Sequence, residues 1–496
     1  MRESSARELT AGRSTYPAEL HKDAERRGLG LGDTALTPDC SIDEAVTRGR
    51  ALAWSGDIEA AKAALVEALR LDSTHFEALN DLGALACATG HRSAARTVYR
   101  QALRFHPSNA IGRVNLANML VEDGELAEAR EHYLAALELA PDLPEAHQGL
   151  ARVFAALGDE MAETHFRRGF AARAELRLGY RGIGPAVPVV LLVSVRLGNM
   201  QTRQWLGESL FDVTAIHVVF WDQAAPLPRH ALIVNAIGDA DLCGAALLRA
   251  ERMFARGAAL GVNPPARVAA TGRAQNARRL GAISGVVAPE IAILPRADIP
   301  RADRFRFPLL LRTPGFHTGL NFVRVEDRRS LAAAVEALPG DELMAIEYLD
   351  ARGRDGLARK YRVMAIDGKL FPLHLAISRD WKVHYFTAAM AEDATHRAEE
   401  MRFLEDMPRV LGERAMAALE GIVAELDLDY VGVDFGLAPD GSLLLFEANA
   451  AMVVIAPPPE TIWDYRRRPV ADILAAAKQM ALSRALAAGR LSGVSE

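Results

Sequence analysis

Small and apolar residues recur at a fixed interval in the first third of the chain. The interval is 34 residues, and it holds for these sets: Gly56, Gly90, Gly124 and Gly158; Ala61, Ala95 and Ala129; Ala68, Ala102 and Ala136; Leu65, Tyr99 and Tyr133. A repeat of this length predicts stacked pairs of helices. The glycine is expected to end the first helix of each pair, where a left-handed backbone is common. The pattern therefore predicts an all-α array over residues 42–178.

The pattern changes after Gly182, Gly184 and Pro185, where short apolar runs begin to alternate with helical stretches. Short apolar runs predict buried strands, and helical spacing predicts the helices between them. Because strands and helices alternate, a parallel sheet covered by helices is predicted for residues 187–300. The strands are expected at 189–195, 213–220 and 231–236, and the helices at 201–210, 245–256 and 267–280.

Two hairpins are predicted toward the C-terminus. Asp367-Gly368 and Asp440-Gly441 each separate two apolar runs, and both dipeptides are typical of two-residue hairpin turns. Helical spacing of apolar residues predicts two more helices in the same region. The expected elements are a strand at 342–349, strands at 361–366 and 369–376, a hairpin at 430–452 and helices at 409–426 and 469–489.

The hairpin at 430–452 has one polar face. A two-residue turn at Asp440-Gly441 sets a register in which Asp434 lies across from Glu447, with Cβ atoms about 5 Å apart. Asn449 projects from the same face, because side chains alternate along a strand. Two like charges placed this way repel each other unless a cation lies between them. Oxygen ligands of this kind suit Mg²⁺. The hairpin therefore predicts a metal site, and the alternative is a surface hairpin with two solvated acids.

The same register predicts space for a ligand on the polar face and a buried opposite face. Gly432 and Gly436 flank Asp434, and their missing side chains are expected to leave room beside it. The residues of the opposite face are apolar and are expected in the core: Val431, Val433, Phe435, Leu437, Leu444 and Phe446.

Composition limits the classes of protein that fit. A chain of 496 residues should hold two to four domains, and 50% hydrophobic with 25% charged residues is ordinary for a globular protein. The net charge of −6, without a long basic run, argues against nucleic-acid binding. Cys40, Cys87 and Cys243 are far apart, which argues against disulfides and structural zinc. No signal-peptide core or membrane-length apolar run is present in the sequence, so a cytoplasmic protein without membrane contact is expected.

The 34-residue repeat resembles the tetratricopeptide repeat, or TPR. Three units match clearly, and a fourth departs from the pattern, with Glu163 at the small-residue place and Arg167 at the aromatic one. Such arrays present a concave surface, so the resemblance implies a peptide or protein partner. The alternatives are an array that forms a homodimer or one that only supports the next domain. Residues 1–41, charged and without periodicity, are expected to be disordered.

The motif Asp434-x-Gly436 followed by Leu445-Phe-Glu-x-Asn449 resembles the end of the nucleotide site in ATP-grasp enzymes. Relatives in that family are glutathione synthetase, D-alanine–D-alanine ligase and the RimK-type ligases. The resemblance covers about residues 187–475. It implies ATP and Mg²⁺ as cofactors, with Asp434, Glu447 and Asn449 holding the magnesium ions that bridge the ATP phosphates.

Two cations and a glycine-rich loop match the family's phosphate contacts. Residues 307–312 resemble a family strand that ends in lysine, and Arg312 takes the lysine's place. The loop that follows contains Gly315 and Gly319, and such loops let backbone N–H groups approach phosphates. Arg273 is the nearest cation to a second position where the family has lysine. Arginine keeps the charge but has a different donor geometry.

The remaining site residues follow from the same resemblance. Three match the segment that meets adenine and ribose: Glu347, Tyr348 and Leu349. Three resemble contacts to the γ-phosphate and the acyl phosphate: Arg379, Lys382 and His384. The alternative for these three residues is that they are lone cations on the surface. For His384, a second alternative is contact with the substrate. Asn235 and Asp239 lie at a strand end, where parallel sheets bind ligands; the alternative is a plain turn with helix caps.

The sequence thus predicts a multidomain protein, an all-α TPR helical array followed by an α+β/α/β ATP-grasp fold. The resemblance implies an ATP-dependent carboxylate–amine or carboxylate–thiol ligase that acts through an acyl phosphate, with small-molecule or peptide substrates. The array would recruit a peptide or protein. The alternatives are a scaffold whose nucleotide domain does not ligate, and phosphate transfer without ligation. The predicted boundaries are 1–41 for the disordered segment, 42–178 for the array, 187–300 for the pre-ATP-grasp domain, 301–475 for the nucleotide domain and 476–496 for a C-terminal helix and tail.

Overall fold

The chain folds into two compact units that divide between Arg173 and Ala174. The described part of the first unit is all-helical, and that of the second mixes helices with sheets. The computed structural model describes residues 41–55, 57–170, 174–195, 198–257, 261–301, 305–314, 321–383, 385, 388–457 and 460–487. The predictions for residues 1–40 and for Gly56 lie outside these ranges.

Four consecutive helix pairs form residues 42–170 of the first unit, as the repeat predicts. Gly90, Gly124 and Gly158 each follow the first helix of a pair and have φ of 83°, 79° and 72°. This left-handed backbone is the one that glycine adopts without a steric penalty. The helices are α1 Ile42–Ser55, α2 Ile58–Leu71, α3 Phe76–Ala88, α4 Arg92–Phe105, α5 Ala110–Glu122, α6 Leu126–Leu139, α7 Pro144–Leu157 and α8 Met161–Phe170.

Small residues set the close spacing of these helices. The repeated alanines Ala61, Ala95 and Ala129 are completely buried. Gly149 of α7 lies against the ring of Tyr133 in α6, and a Cβ atom at position 149 would come within 2.2 Å of that ring. The helical array therefore depends on side-chain volume at the positions that recur in the sequence.

A buried carboxylate connects the first two repeats. Asp81 of α3 is 3% exposed, and Arg50 of α1 donates to it through Nε at 2.5 Å. Arg50 also contacts Glu77 at 3.0 Å. Burial raises the pKa of the Asp81 carboxyl, and the Arg50 guanidinium opposes that rise. The packing of α1 against α3 therefore depends on a cation at position 50.

We expect Arg50→Ala to destabilise the α1–α3 region by about 2–3 kcal/mol, because it leaves Asp81 as a buried charge without its partner. The measurement is hydrogen exchange of peptides from α1–α3 in the full chain. Arg70→Ala is the matched control: Arg70 pairs with Glu67 on the surface at 3.4 Å, and such pairs contribute about 0.5 kcal/mol or less. Equal effects of the two variants would show that burial of Asp81 is unimportant.

Two histidines meet inside the last repeat. Nδ1 of His147 in α7 lies 2.9 Å from Nδ1 of His165 in α8, and Nε2 of His147 lies 3.0 Å from the carbonyl oxygen of Pro141. The Nε2–H group must donate to that carbonyl, so His147 Nδ1 accepts a hydrogen bond from His165. Burial lowers the pKa of both imidazoles. The pair therefore requires a neutral His147, since a proton on its Nδ1 would place two N–H groups face to face.

The α7–α8 packing should weaken as the pH falls below about 6.5, the pKa of an unfolded histidine. When folding lowers the pKa of a histidine, the folded state has its full stability above the unfolded pKa. That stability is lost as the pH falls from the unfolded pKa to the folded pKa. Hydrogen exchange of residues 144–170 at pH 7.5 and 5.5, corrected for intrinsic rates, measures the effect. His165→Gln should reduce this pH dependence and His91→Gln, at an exposed site, should not. An unchanged pH dependence in His165→Gln would contradict the assignment.

The second unit begins with a largely parallel sheet. Its strand order is β1-β3-β2-β4-β5, and all neighbouring pairs except β1–β3 are parallel. This confirms the predicted parallel sheet, although among the described connections between its strands only the one from β4 to β5 contains an α-helix. The elements are β1 Glu175–Leu178, β2 Val187–Val193, β3 Phe211–His217, β4 Leu232–Asn235, α9 Ala240–Phe254 and β5 Gly261–Val262.

Two helix predictions near this sheet are wrong in detail. Residues 201–210 form only a 3₁₀ turn at Thr202–Gln204, because Trp205 and Leu206 turn into the core and Gly207 begins a second turn that leads to β3. Residues 267–280 form two helices, α10 Pro265–Ala269 and α11 Arg273–Leu280. Gly272 precedes α11 in an extended conformation, so the helix restarts there.

Two further sheets complete the second unit. One is antiparallel with the order β7-β10-β8-β9, and the other has the order β12-β11-β13-β14-β6. The strands are β6 Val286–Val287, β7 Ile291–Pro295, β8 Leu309–Arg312, β9 Phe322–Val325, β10 Glu342–Glu347, β11 Ala358–Ile366, β12 Lys369–Ser378, β13 Tyr430–Leu437 and β14 Leu443–Asn449. The helices are α12 Arg328–Ala337, α13 Ala394–Glu405, α14 Met407–Leu426 and α15 Arg467–Ala487.

The elements cross the boundaries that the sequence predicts. Strand β1 lies in the second unit rather than in the array. Strand β6, before residue 300, pairs with β14, and α15 runs through residues 475 and 476. One continuous hydrophobic core joins the β2–β4 sheet to the β11–β14 sheet. This shared core holds the carboxyl end of β4 close to the β13–β14 hairpin.

Candidate functional site

The β13–β14 hairpin places Asp434 across from Glu447, as predicted. The turn is longer than expected, however, because Ala438 donates to the carbonyl of Ser442 at 2.9 Å and encloses three residues, 439–441. A bulge on β14 then inserts one extra residue opposite Phe435. The two deviations cancel, so the predicted pairing is right although the predicted two-residue turn is wrong.

The bulge changes what lies on each face of the hairpin. Phe446, expected in the core, is half-buried and lines a cleft together with Glu447. The expected space beside Asp434 is filled by protein: a Cβ atom at Gly432 would lie 2.6 Å from Met452, and one at Gly436 would lie 2.7 Å from Ala351. The glycines therefore serve close packing and do not open room for a ligand.

Four polar residues form a row across four neighbouring strands. The register pairs His374 of β12 with Arg362 of β11, Arg362 with Asp434 of β13, and Asp434 with Glu447 of β14. We refer to these four residues as the charged row. Burial, followed by the charge of Arg362, lowers the pKa of His374 far below its usual value, so this imidazole is neutral. The row therefore carries one positive and two negative charges in sequence.

Asp434 is held by two cations. Arg362 contacts both carboxylate oxygens, at 2.5 and 2.8 Å, and Lys360 lies 3.0 Å from Oδ2. Asp434 is only 3% exposed. Burial by itself would raise the pKa of this carboxyl, but Arg362 and Lys360 outweigh it and hold the pKa well below its usual range. Asp434 is therefore ionised, and its charge is balanced by the chain itself.

Glu447 is held by a third cation. Its Oε1 accepts hydrogen bonds from the Arg273 guanidinium and, at 2.8 Å, from the Asn449 amide. Arg273 stands at the first position of α11, where its backbone N–H also donates to Asp241 at 3.1 Å. The predicted repulsion between Asp434 and Glu447 is thus relieved by guanidinium groups in the described structure.

A small cleft opens beside Glu447. It lies between the start of α9, the start of α11, β7 and the end of β14. Its charged lining is Asp239, Asp241, Arg273 and Glu447, and Asn276 and Asn449 add amides. The cleft therefore brings the carboxyl end of a parallel strand to the polar end of the hairpin, the position at which open α/β sheets bind ligands.

Arg312 and Lys382 add positive charge near this cleft. Arg312 ends β8, and burial followed by repulsion from Arg273 lowers its pKa to about 10, against the attraction of Glu447 and two aspartates. Lys382 is half-buried, and burial followed by the charge of Arg312 lowers its pKa. An anion bound among Arg273, Arg312 and Lys382 would relieve this repulsion.

The other predicted site residues have different placements. Arg379 is exposed. His384, Gly315 and Gly319 lie outside the described residues. Asn235 is completely buried and bonds the backbone of Ile237 and Asn263. Asp239 caps α9 by accepting from the backbone N–H of Leu242 at 2.8 Å and also lines the cleft. Asn235 therefore has the structural role, whereas Asp239 is a helix cap at the edge of the cleft and its contact with a substrate stays a prediction.

The predicted adenine segment follows β10. Glu347 accepts from the Glu290 backbone at 3.0 Å. The Tyr348 ring lies 5.1 Å beneath the Arg324 guanidinium and 6.5 Å from the Trp381 ring. Glu347, Tyr348 and Leu349 are not among the described residues that line the cleft. The structure therefore brings Arg273, Glu447 and Asn449 into the cleft and places this segment outside it.

Sequence reasoning missed Lys360, Arg362 and His374. Arg362 lies on the strand predicted at 361–366, and Lys360 lies one residue before that strand; the two side chains share one face of β11 because side chains alternate along a strand. The sequence pattern could have identified Lys360 and Arg362 as neighbours on one strand face. Their contact with Asp434, however, depends on the pairing of β11 with β13, which are separated by about 70 residues of sequence. A second missed group is Glu400, completely buried, which accepts from Tyr385 at 3.1 Å and Tyr465 at 2.5 Å.

The donor types at the hairpin suit Mg²⁺, which prefers carboxylate and other oxygen ligands. Within the described ranges, no group of three or more His, Cys, Asp or Glu side chains is arranged to hold a metal ion. Asp434, Glu447 and Asn449 supply two carboxylates and one amide, and Asn449 Oδ1 accepts from Ala451 at 2.9 Å. Arg273 therefore competes with a metal ion for Oε1 of Glu447.

Comparisons with known proteins concern the first unit. A family model described as TPR repeat matches residues 117–158, and no curated protein matches the chain. Among solved structures, MamA from Desulfovibrio magneticus RS-1 is 19% identical, with 34% of this chain and 94% of that chain covered and a TM-score of 0.25. A thermophilic TPR protein of Thermus thermophilus is 21% identical, with 27% and 75% covered and a TM-score of 0.25. Scores this low carry no argument about this chain.

The family match and the observed helix pairs agree. Residues 117–158 match a TPR repeat, and they lie within a TPR-like all-helical array over 42–170 that is followed by a mixed helix and sheet region. Repeats of this kind generally mediate protein–protein interactions. Across the described parts of the chain, no helix combines the length and apolar character needed to cross a membrane.

Proposed function

We propose that the second unit is an ATP-dependent carboxylate–amine or carboxylate–thiol ligase similar to ATP-grasp enzymes. The observation that carries the proposal is the arrangement of alternating charges at the hairpin, where two carboxylates on facing strands lie among the cations Lys360, Arg362 and Arg273. Nucleotide phosphates with a divalent cation need both kinds of group within a few ångströms of each other.

The reaction has two steps. A substrate carboxylate oxygen attacks the γ-phosphorus of ATP, the bond to the β-phosphate oxygen breaks, and ADP leaves. An amine or thiol then attacks the acyl carbonyl, inorganic phosphate leaves, and the nucleophile loses its proton. Bound Mg²⁺ would neutralise charge on the phosphates. No protein nucleophile is needed, so the rate gain comes from positioning and electrostatics.

The residues have distinct roles in this scheme. Asp434, Glu447 and Asn449 would hold the metal, and Arg273 and Arg312 would contact phosphate oxygens. Lys382, whose pKa is lowered by burial and by the charge of Arg312, would stabilise the transferring phosphoryl group. The cleft lined by Asp239 and Asp241 would hold the acceptor beside the phosphates. The TPR array would recruit a peptide or protein that carries the carboxylate or the amine.

Trapping of the acyl phosphate tests the proposal. The full chain is incubated with MgATP, a pool of the twenty amino acids or a peptide library, and hydroxylamine. We expect ADP and a hydroxamate in equal amounts, because hydroxylamine attacks an acyl phosphate as an amine does. ADP with a stable phosphorylated product would indicate phosphate transfer without ligation.

A second function is a TPR scaffold whose nucleotide domain does not ligate. It is favoured by the ion pairs that satisfy Asp434 and Glu447 and by arginine at both positions where the family has lysine. Nucleotide binding without any ADP formation across the substrate pools would support the scaffold over the ligase.

A further inference from the structure

Arg273 occupies Oε1 of Glu447, one of the two carboxylate oxygens that a metal ion could bind. Oε1 of Glu447 accepts from both the Arg273 guanidinium and the Asn449 amide. The side chains of Arg273 and Glu447 are 17% and 24% exposed, so the ion pair faces the cleft rather than the core. Mg²⁺ that approaches Glu447 alone meets a guanidinium at the ligand oxygen and a second one, Arg312, nearby.

The backbone at Arg273 is fixed independently of this ion pair. Its N–H group donates to Asp241 at 3.1 Å, and it opens α11. The guanidinium, whose Nε also lies 3.8 Å from Asp241 Oδ2, can therefore leave Glu447 by a change of side-chain rotamer. An anion in the cleft would offer it new partners, because Arg273 lines that cleft and its forked donors match phosphate oxygens.

We propose that Arg273 is a mobile counter-ion that pairs with Glu447 in the nucleotide-free protein and transfers to nucleotide phosphate, so that the nucleotide exposes the metal ligand. This inference rests on the proposed function and adds a regulation of the same site. Free Mg²⁺ binds weakly because it must displace a cation, and nucleotide binding removes that competitor. By linkage, the metal strengthens nucleotide binding by the same factor.

The exchange predicts opposite effects of one substitution on two ligands. In Arg273→Gln, Glu447 loses its charged competitor, so the affinity for Mg²⁺ alone should rise about fivefold or more. The affinity for a non-hydrolysable ATP analogue in EDTA should fall, because a phosphate contact is lost. In the wild type, the analogue should raise the affinity for Mg²⁺ about tenfold. In Arg273→Gln, this ratio of affinities should approach one. These values lie within the range typical of coupled sites.

Calorimetry of the full chain measures all three quantities with Mg²⁺ alone, the analogue alone and both together. Arg278→Gln is the matched control, because Arg278 lies on the same helix, is exposed and donates to the backbone of Ala274. Its affinities should equal those of the wild type. Arg273→Lys keeps the charge without the forked donors, so its coupling should be intermediate. Circular dichroism melting of each variant confirms that it is folded.

The outcomes separate this inference from the proposed function. If the wild type binds no ATP analogue with or without Mg²⁺, both are overturned. If the wild type binds the analogue with Mg²⁺ but Arg273→Gln leaves the affinity for Mg²⁺ alone unchanged or weaker, only the counter-ion exchange is overturned. A rise in Mg²⁺ affinity together with a fall in analogue affinity supports the exchange, since general loosening of the fold would weaken both.

Discussion

Replacing Asp434 by Asn together with Glu447 by Gln should weaken magnesium-dependent nucleotide binding by about 100-fold or more. Each carboxylate lost from a metal or charged contact costs about 1.5–3 kcal/mol, and two such losses exceed the roughly 3 kcal/mol that corresponds to a factor of 100. The substitutions keep the shape of both side chains. Calorimetry with MgATP analogue on the full chain measures the change.

The dependence on metal makes this prediction specific. In EDTA the double variant should bind the analogue at least as well as the wild type, because two negative charges near the phosphates have been removed. Glu425→Gln is the control: Glu425 pairs with Arg279 at 3.6 Å and is nearly half exposed. An equal loss of affinity with and without Mg²⁺ would mean that the carboxylates support the fold and do not hold a metal.

Arg362→Ala should lower the free energy of unfolding of the second unit by about 3 kcal/mol. Removing one partner of a buried ion pair typically costs about 3–5 kcal/mol, because the remaining charge stays buried. The lower end applies here, since Lys360 remains 3.0 Å from Asp434. Urea denaturation followed by tryptophan fluorescence reports the second unit, which contains four of the five tryptophans: Trp205, Trp221, Trp381 and Trp463.

A double variant tests the cause of this loss. Arg362→Ala with Asp434→Ala removes both charges of the pair, so it should recover part of the stability that the single variant loses. Arg414→Ala is the control, because Arg414 and Asp440 form an exposed pair at 3.2 Å whose contribution should be below about 1 kcal/mol. A double variant less stable than Arg362→Ala alone would show that packing, rather than an unpaired carboxylate, explains the loss.

The helical array was predictable because its information is local. Each repeat places small residues and a glycine at fixed positions, and each helix packs mainly on its neighbours in sequence. The same holds for the β11–β12 hairpin, where Asp367 and Gly368 have φ of 51° and 76° and form the predicted two-residue turn. Predictions failed where tertiary packing overrode local preference. The helix predicted at 201–210 is absent because Trp205 and Leu206 are buried in the core.

The candidate site also combines features that the sequence predicts with features that it does not. Alternation along β13 and β14 placed Asp434, Glu447 and Asn449 on one face, and this arrangement is confirmed. The bulge that keeps Asp434 opposite Glu447 was not predictable, because a three-residue turn and a two-residue turn are compatible with the same Asp-Gly pair. Phe446 was misplaced for that reason.

The sequence by itself determined the repeat array, the buried strands of the parallel sheet, and the acidic face of the hairpin, since each follows from short-range periodicity. The tertiary structure decided which charges meet. Arg362 reaches Asp434 through strand pairing across 72 positions, and Arg273 reaches Glu447 across 174. Such contacts depend on how sheets and helices pack in three dimensions, and no local pattern encodes them. They decide whether the carboxylates repel each other or are balanced by the chain's own cations.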